Sequence, residues 1–285
     1  IDHGLDPNKI GQQISFFFNS HNGFLEEIAK FRAARKIWAT IMKERFGVTN
    51  EKAMMCRFHT QTGGSTLTSE QPDNNTVRTT IQALSAVLGG TQSLHTNSRD
   101  EALSLPTNES VKLALRTQQI IAHETNIINY SDPFGGSYLI EELTENLVRK
   151  TFDLIDEIDS MGGSISAIKS GWIENEISRS AYEYQKNIDN KKQIIVGVNK
   201  YKDDEHEQLD TFDIDLDSAN EQIDSLKLYK DNRDNDSVKM RLNELKTLAK
   251  SNNNIMPGLI KCVHSKCTLG EMSDTLREVF GDYSL

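Results

Sequence analysis

The stretch MMCRFHTQTGGSTLTSEQPDNNTVRTTIQALSAVL (Met54 to Leu88) decides the fold. Its first five residues, Met54 to Phe58, have the apolar character of a short strand. His59 to Asn75 are polar and glycine-bearing, as in a loop. Thr76 to Leu88 carry apolar residues at helical spacing. The same order recurs on both sides. Upstream, Ile14 to Phe18 (ISFFF) predicts a buried strand and Asn19 to Gly23 a loop. A helix is expected from Phe24 to Phe46, with Phe24, Ile28, Phe31, Ala34 and Trp38 on one face and Gly47 behind its end. Downstream, Gly90 to Leu94 predicts a strand, His95 to Thr107 a loop, and Glu109 to Thr125 a helix. Strands alternating with helices point to parallel βα units and an α/β fold.

A run of polar residues follows each strand: FNSHN, HTQTGGS and HTNSRDE. In barrels and open parallel sheets the C-terminal strand ends and the loops after them form the active face. Function is therefore sought there. Three units do not close a barrel, which takes eight strands and roughly 250 residues. They form either part of one or the edge of an open sheet.

Beyond the turn-rich Asp132 to Tyr138 (DPFGGSY) the pattern becomes helical. A helix is expected from about Thr144 to Met161, stopped by Gly162-Gly163, with shorter helices to Asp189 and a strand at Ile194 to Val198. An acidic linker spans Lys202 to Asp217. Helices are expected over Ser218 to Lys250, broken near Asp231 to Asp236, and over Met256 to Phe280. The expected domains are 1–130 (βα units), 131–201 (helices with one strand) and 202–285 (linker and final helices).

With 36% hydrophobic and 26% charged residues, the chain has the composition of a soluble globular protein. No apolar run approaches the roughly 20 residues of a membrane span. The formal charge is −10, and no basic face suggests nucleic-acid binding. Three cysteines without a framework suit a reducing cytoplasm. The chain opens on Ile1, so its N-terminus is expected to lie upstream.

Several chemistries find no support. There is no P-loop and no G-x-G-x-x-G at a strand-to-helix turn. Ser65 or Ser93 beside His59 or His95 lacks a nucleophile elbow. Cys262-Val-His-Ser-Lys-Cys267 offers His264 as a third zinc ligand but lacks a second pair and sits in an apolar helical pattern. What remains is a polar cluster of His59, Gln61 and Thr62 on one strand end and Gln92, His95, Thr96 and Asn97 on the next. Strand alternation puts His59 and Gln61 on one side. Amides and hydroxyls are weak metal ligands, so the cluster suits an uncharged or extended organic group. Glu101 either caps the next helix or binds a hydroxylated ligand.

Read as strings, FRAARKIW (Phe31 to Trp38), RFHTQTGGSTLT (Arg57 to Thr68), GGTQSLHTNSRDEALSLPT (Gly89 to Thr107), DPFGGSY and IIVGVNKY (Ile194 to Tyr201) occur in that order. The chain resembles the methylmalonyl-CoA mutase family, particularly the large subunit of its two-subunit type, strongly over residues 4–201 and more weakly to the end. The resemblance implies the C-terminal part, about three strands, of a (β/α)₈ TIM barrel followed by a mostly helical region. A chain with three of eight strands is expected to be incomplete on its own. The implied activity is adenosylcobalamin-dependent radical rearrangement of an acyl-CoA, most simply methylmalonyl-CoA, with isobutyryl- or 2-hydroxyisobutyryl-CoA as the alternative. A partner-binding fragment without activity is the alternative of another class. The implied partners are the acyl-CoA and a cobalamin-binding small subunit in a cytoplasmic hetero-oligomer, with cobalt held by a separate domain or subunit.

By the same resemblance Ser15, His59 and Gln92 contact the substrate, and Gln61 faces the reacting group. Gly64, Ser65, Ala102 and Leu105 adjoin the corrin, while Asn97 and Glu101 hold the adenosyl ribose. Two positions depart from the pattern. Gln13 stands where the family has a phosphate-binding arginine. Ser65 replaces the tryptophan of methylmalonyl-specific enzymes, as in relatives acting on isobutyryl- or hydroxyisobutyryl-CoA.

Overall fold

The computed structural model describes residues 1, 4–203, 211–212 and 215–282. In chain order its elements begin with α1 (Pro7–Ile10), β1 (Phe16–Ser20), α2 (Phe24–Thr40), α3 (Glu51–Met54), β2 (Phe58–Thr62), α4 (Asn74–Leu88) and β3 (Ser93–His95). Helices follow: α5 (Asn108–Glu124), α6 (Tyr138–Ser160), α7 (Ser164–Lys169), α8 (Trp172–Asp189), α9 (Leu216–Asp231), α10 (Asn235–Ala249), α11 (Met256–His264) and α12 (Leu269–Phe280). The described chain forms two compact units, Ile1–Phe212 and Asp213–Leu285.

The first unit is an α/β fold whose three strands pair in parallel in the order β1-β2-β3. This is the arrangement expected of consecutive barrel strands, and the helical region follows it. Phe17 pairs with His59 and His59 with Ser93, while Asn19 pairs with Gln61 and Gln61 with His95. Alternation then sorts the faces. Phe58 joins Phe31, Cys56 and Ala86 in a buried cluster, with Phe16, Phe18 and Leu94 packed on it. The Phe31 and Phe58 rings stack with centroids 5.4 Å apart. On the opposite face Phe17 is 64% exposed, so the FFF run is buried only at alternate positions.

The strings FRAARKIW and DPFGGSY meet in one contact. Arg32 of FRAARKIW pairs with Asp132 of DPFGGSY and with Glu141, 2.7 Å away on α6. Glu141 also accepts from Gly136 N at 2.9 Å. These bonds fasten α2 to α6 beside the βα layer.

Several boundaries differ from expectation. The second strand begins at Phe58, not Met54, because Asn50 caps α3 over Glu51–Met54 by accepting from Lys52 N at 3.0 Å. Pairing then continues through the polar HTQT. The first strand likewise runs on through Asn19 and Ser20, and the third begins at Ser93 rather than Gly90. Helix α2 ends at Thr40 and passes into a π-helical turn over Ile41–Arg45. The fourth expected strand, Ile194 to Val198, is a turn with one isolated bridge from Val196 to Lys200. Gly197 has φ +84°, and the Asn199 side chain holds the carbonyls of Ile188 and Gln193. Met256 to Phe280 is two helices, not one. Lys266 takes φ +64°, and a capping box between Thr268 and Glu271 starts α12. The acidic linker lies largely outside the described residues.

In the second unit Val238, Leu245, Cys262 and Cys267 form the buried cluster. The two cysteines are therefore core residues of packed helices. Arg233, whose side chain is 4% exposed, pairs through both nitrogens with Glu271, one bond measuring 2.8 Å. The Arg233 hydrogen bonds outweigh the opposing effect of burial and bring the Glu271 carboxyl down to about 2. A carboxylate with a depressed folded pKa stabilises fully above its unfolded value of 4.5 and loses that stabilisation as pH falls toward 2. Glu271→Gln is expected to cost about 1–3 kcal/mol at neutral pH. In paired denaturant titrations at stepped pH, the gap between wild type and variant should close between pH 4.5 and about 2. A gap that stays constant across that window would contradict the ion-pair account.

Candidate functional site

Around the polar face of the sheet the candidate residues fall at different heights. Toward the N-terminal strand ends, Ser15 is exposed just before β1. Gln92 uses its Oε1 to accept from Phe58 N at 2.8 Å, closing the sheet at that end. Arg57 rests its guanidinium on the backbone carbonyls of Gln12 and Ile14. One row up, His59 Nδ1 bonds Ser93 Oγ, and its ring lies 5.1 Å from that of Phe17. At the C-terminal end the row is Asn19, Gln61 and His95. Arg57, His59 and Gln61 thus succeed one another on alternate positions of one chain segment, about 13 Å from first to last.

Above Gln61 the loops converge. Gln61 Nε2 donates to Asn97 Oδ1 at 2.8 Å. Asn97 is 2% exposed; its N donates to Thr62 Oγ1 at 2.9 Å and its Nδ2 to Thr62 O at 3.2 Å. Gly64 is bare because the space is taken: a Cβ there would meet Asn97 Nδ2 at 2.9 Å and Glu101 Oε1 at 3.6 Å. Gly63 is confined similarly, with Asn19 Oδ1 and Ser20 O each 3.2 Å from a Cβ. Neither glycine has positive φ, so close approach explains the pair. Glu101 is exposed and, with His95 and Ser98, lines a cavity of 120 Å³ outside β3. Ser65, Ala102 and Leu105 are exposed on the same loops. The face therefore brings together Ser15, His59 and Gln61, with Gly64, Asn97 and Glu101 at its upper rim. Gln92 stands apart at the lower edge.

Two supports escaped sequence reasoning. Gln82 is fully buried on α4; it accepts from Gly63 N at 2.8 Å and donates to Thr66 Oγ1 and Asn22 Oδ1, each at 2.7 Å. Its signal was an amide on the helix face where an apolar residue belongs. Asp100, 1% exposed, accepts from Thr107 N at 3.0 Å and so pins the loop from Thr96 to the start of α5. Burial raises its pKa, but hydrogen bonding to the carboxylate, from Thr107 N and Oγ1 in the structure, outweighs this and leaves it below the usual value. Nothing in HTNSRDE marks Asp100 over its neighbours, because the pairing depends on a return of the chain seven residues later.

Residues 1–282 match the family model for methylmalonyl-CoA mutase. A probable mitochondrial methylmalonyl-CoA mutase of Caenorhabditis elegans is 42% identical across the whole chain, which covers 38% of that protein. The 2-hydroxyisobutanoyl-CoA mutase large subunit of Aquincola tertiaricarbonis is 41% identical over 98% of the chain and 50% of its own length. Methylmalonyl-CoA mutase of Rhizobium meliloti is 39% identical over 99% of the chain and 40% of its own length. The chain thus spans half or less of these relatives. Among the described residues no helix is long and apolar enough to cross a membrane.

Gln82→Leu should destabilise the protein by about 1–3 kcal/mol, since it leaves Gly63 N buried without an acceptor. Hydrogen exchange should rise most at Gly63 and Thr66; uniform exchange across α4 would instead indicate loss of helix packing. A three-stranded parallel sheet, an amide-lined strand end and a match over nearly the entire length lead to one statement: this chain belongs to the methylmalonyl-CoA mutase family.

Proposed function

We propose that the protein containing this chain is an adenosylcobalamin-dependent acyl-CoA mutase, and that the polar sheet face receives the acyl-CoA. One observation carries the proposal: the column Arg57, His59, Gln61 runs from cation to neutral amide on a face that no described element covers. An acyl-CoA has the matching polarity, with anionic phosphates at one end and a neutral thioester at the other. Arg57 places a positive charge beside Gln13, where the family pattern has an arginine. Ser15 and His59 lie along the path of the uncharged arm, with Gln92 at its lower edge.

The rim suits the cofactor by its chemistry. Glu101 is an exposed carboxylate beside the bare backbone of Gly64, and carboxylates accept from sugar hydroxyls. Ser65, Ala102 and Leu105 are exposed and weakly polar, which suits packing against a large ring. When bound, adenosylcobalamin supplies the radical that removes a substrate hydrogen. The protein's share is to orient the acyl group, keep water out and hold the cofactor above the strand ends. A separate small subunit or domain is proposed to ligate cobalt, the assembly being a hetero-oligomer. The free thiols Cys56, Cys262 and Cys267 accord with the cytoplasm as its compartment.

Methylmalonyl-CoA is the leading substrate. Isobutyryl- or 2-hydroxyisobutyryl-CoA is the second reading, favoured by Ser65, and the Aquincola tertiaricarbonis relative supports the latter. In the complete enzyme, Gln61→Ala is expected to lower turnover about tenfold or more with little change in acyl-CoA affinity, since a group beside the reacting carbon acts mainly in the transition state. Glu101→Ala should weaken adenosylcobalamin binding about fivefold and leave acyl-CoA binding unchanged. Steady-state kinetics with both ligands varied measure this. Unchanged turnover in Gln61→Ala would remove Gln61 from the reacting centre.

A further inference from the structure

The turn from Ile194 to Tyr201 (IIVGVNKY) contains none of the candidate site residues, yet it is fastened to the loops that do. Its own geometry is fixed from within. Gly197 takes φ +84° and donates its N–H to Lys200 O at 2.8 Å, and Ile195 N donates to Asn199 Oδ1 at 2.8 Å. Two of its carbonyls then accept from elsewhere: Val196 O from Arg78 Nη2 at 2.7 Å, and Tyr201 O from Gln71 Nε2 at 2.9 Å. Gly197 is also bare for want of space, since a Cβ would meet Gln71 Oε1 at 3.0 Å. Arg78, on α4, directs Nη1 to Thr68 Oγ1 at 3.0 Å and to Asn75 Oδ1 at 2.7 Å. One guanidinium thus joins the turn, α4 and the loop after β2 through charge-assisted bonds, which are stronger than neutral ones.

Asn75 passes the connection on. It is fully buried, and its amide has every hydrogen-bonding position filled. Oδ1 accepts from Arg78 Nη1 and from Thr68 N at 3.1 Å, while Nδ2 donates to Thr68 O at 2.8 Å and to Arg99 O at 2.9 Å. An arginine only donates, so Arg78 and Thr68 N keep Oδ1 on their side and leave Nδ2 for the Arg99 carbonyl. Arg99 stands midway between Asn97 and Glu101, and its guanidinium pairs with Asp73 just before α4.

We propose that Arg78 is a positioning residue: braced by the Val196 carbonyl, it orients the Asn75 amide, which holds the Arg99 carbonyl and so sets the loop that presents Asn97 and Glu101 to the cofactor. The turn from Ile194 to Tyr201 is the outer support of that loop. The proposal rests on the cofactor site proposed above for its binding arm, and on the fold alone for its exchange arm.

Arg78→Lys in the complete enzyme tests it, because lysine keeps the charge and loses the planar fork. The dissociation constant for adenosylcobalamin should rise about fivefold, with KM for acyl-CoA within about twofold of wild type. Asn75→Ala should weaken cofactor binding at least as much. The double variant should bind no more weakly than Asn75→Ala alone, since Arg78 acts through Asn75. Glu141→Gln loosens the contact between α2 and α6 instead; it controls for a general loss of stability and should leave cofactor affinity unchanged. Hydrogen exchange reads the loop directly. The amides of Glu101, Leu103 and Ser104 donate to the Ser98 and Asp100 carbonyls within it. They should exchange about tenfold faster in Arg78→Lys and at the wild-type rate in Glu141→Gln. Gly197→Ala, which strains the turn and leaves Arg78 in place, should speed the same amides and decides the matter if Arg78→Lys does not fold. Multiplicative losses in the double variant, or an equal loss of affinity in Glu141→Gln, would overturn the proposal. Unchanged exchange at Glu101, or faster exchange with unchanged cofactor affinity, would overturn it as well. A wild type that binds no adenosylcobalamin would sink the cofactor site, while exchange at Glu101 still decides whether Arg78 holds the loop.

Discussion

Alternation along β2 is the constraint on which the first unit depends. Phe58, Thr60 and Thr62 turn toward α2 and α4, while His59 and Gln61 turn to the open face. Parallel pairing in register then copies this division onto β1 and β3. A slip of one residue would exchange the two sets, exposing the Phe58 ring and burying an imidazole and an amide without partners. Replacing Phe58 by Ala would remove the ring stacked on Phe31, a loss of about 3–5 kcal/mol for such core truncations. The same packing that makes the fold stable therefore fixes which side chains are available to a ligand.

The rim is built by bonds between loops, each from a residue that no strand alignment positions. Gln82 of α4 holds Gly63, Thr62 holds Asn97, and Asp100 holds Thr107. The first two bonds are buried and the third partly so, and buried polar networks with their partners in place are rigid. The Thr62 carbonyl accepts from Asn97 Nδ2, and Asn97 Oδ1 accepts in turn from Gln61 Nε2.

Much of the fold was legible because each βα unit repeats one polarity sequence, and α4 and α5 fall within two residues of expectation. Strand ends were less legible. HTQT and FNS look like loop to any criterion based on apolar runs, yet they pair, because one face of this sheet carries polar side chains. The turn at Gly197 and the break at Lys266 were missed for a different reason: both depend on a left-handed residue and on a side chain that returns to the backbone. In the site, His59 and Gln61 were visible from strand parity alone. Gln82 and Asp100 were not, since their importance lies in contacts that only the fold creates, Gln82 with Gly63, Thr66 and Asn22, and Asp100 with Thr107. The family resemblance named Gly64 and Asn97, and the close approach of Asn97 Nδ2 to Gly64 gives a physical reason for the glycine.

The acyl-CoA is proposed to lie on the face carrying Arg57, His59 and Gln61. The most direct measurement is a crystal structure of the complete protein with a bound acyl-CoA. The pantetheine arm is expected against His59 and Ser93, the thioester end beside Gln61, and the phosphates at the Arg57 end. An acyl-CoA seated on the helix-covered side, or lying with its phosphates beside Gln61 and its thioester beside Arg57, would contradict it.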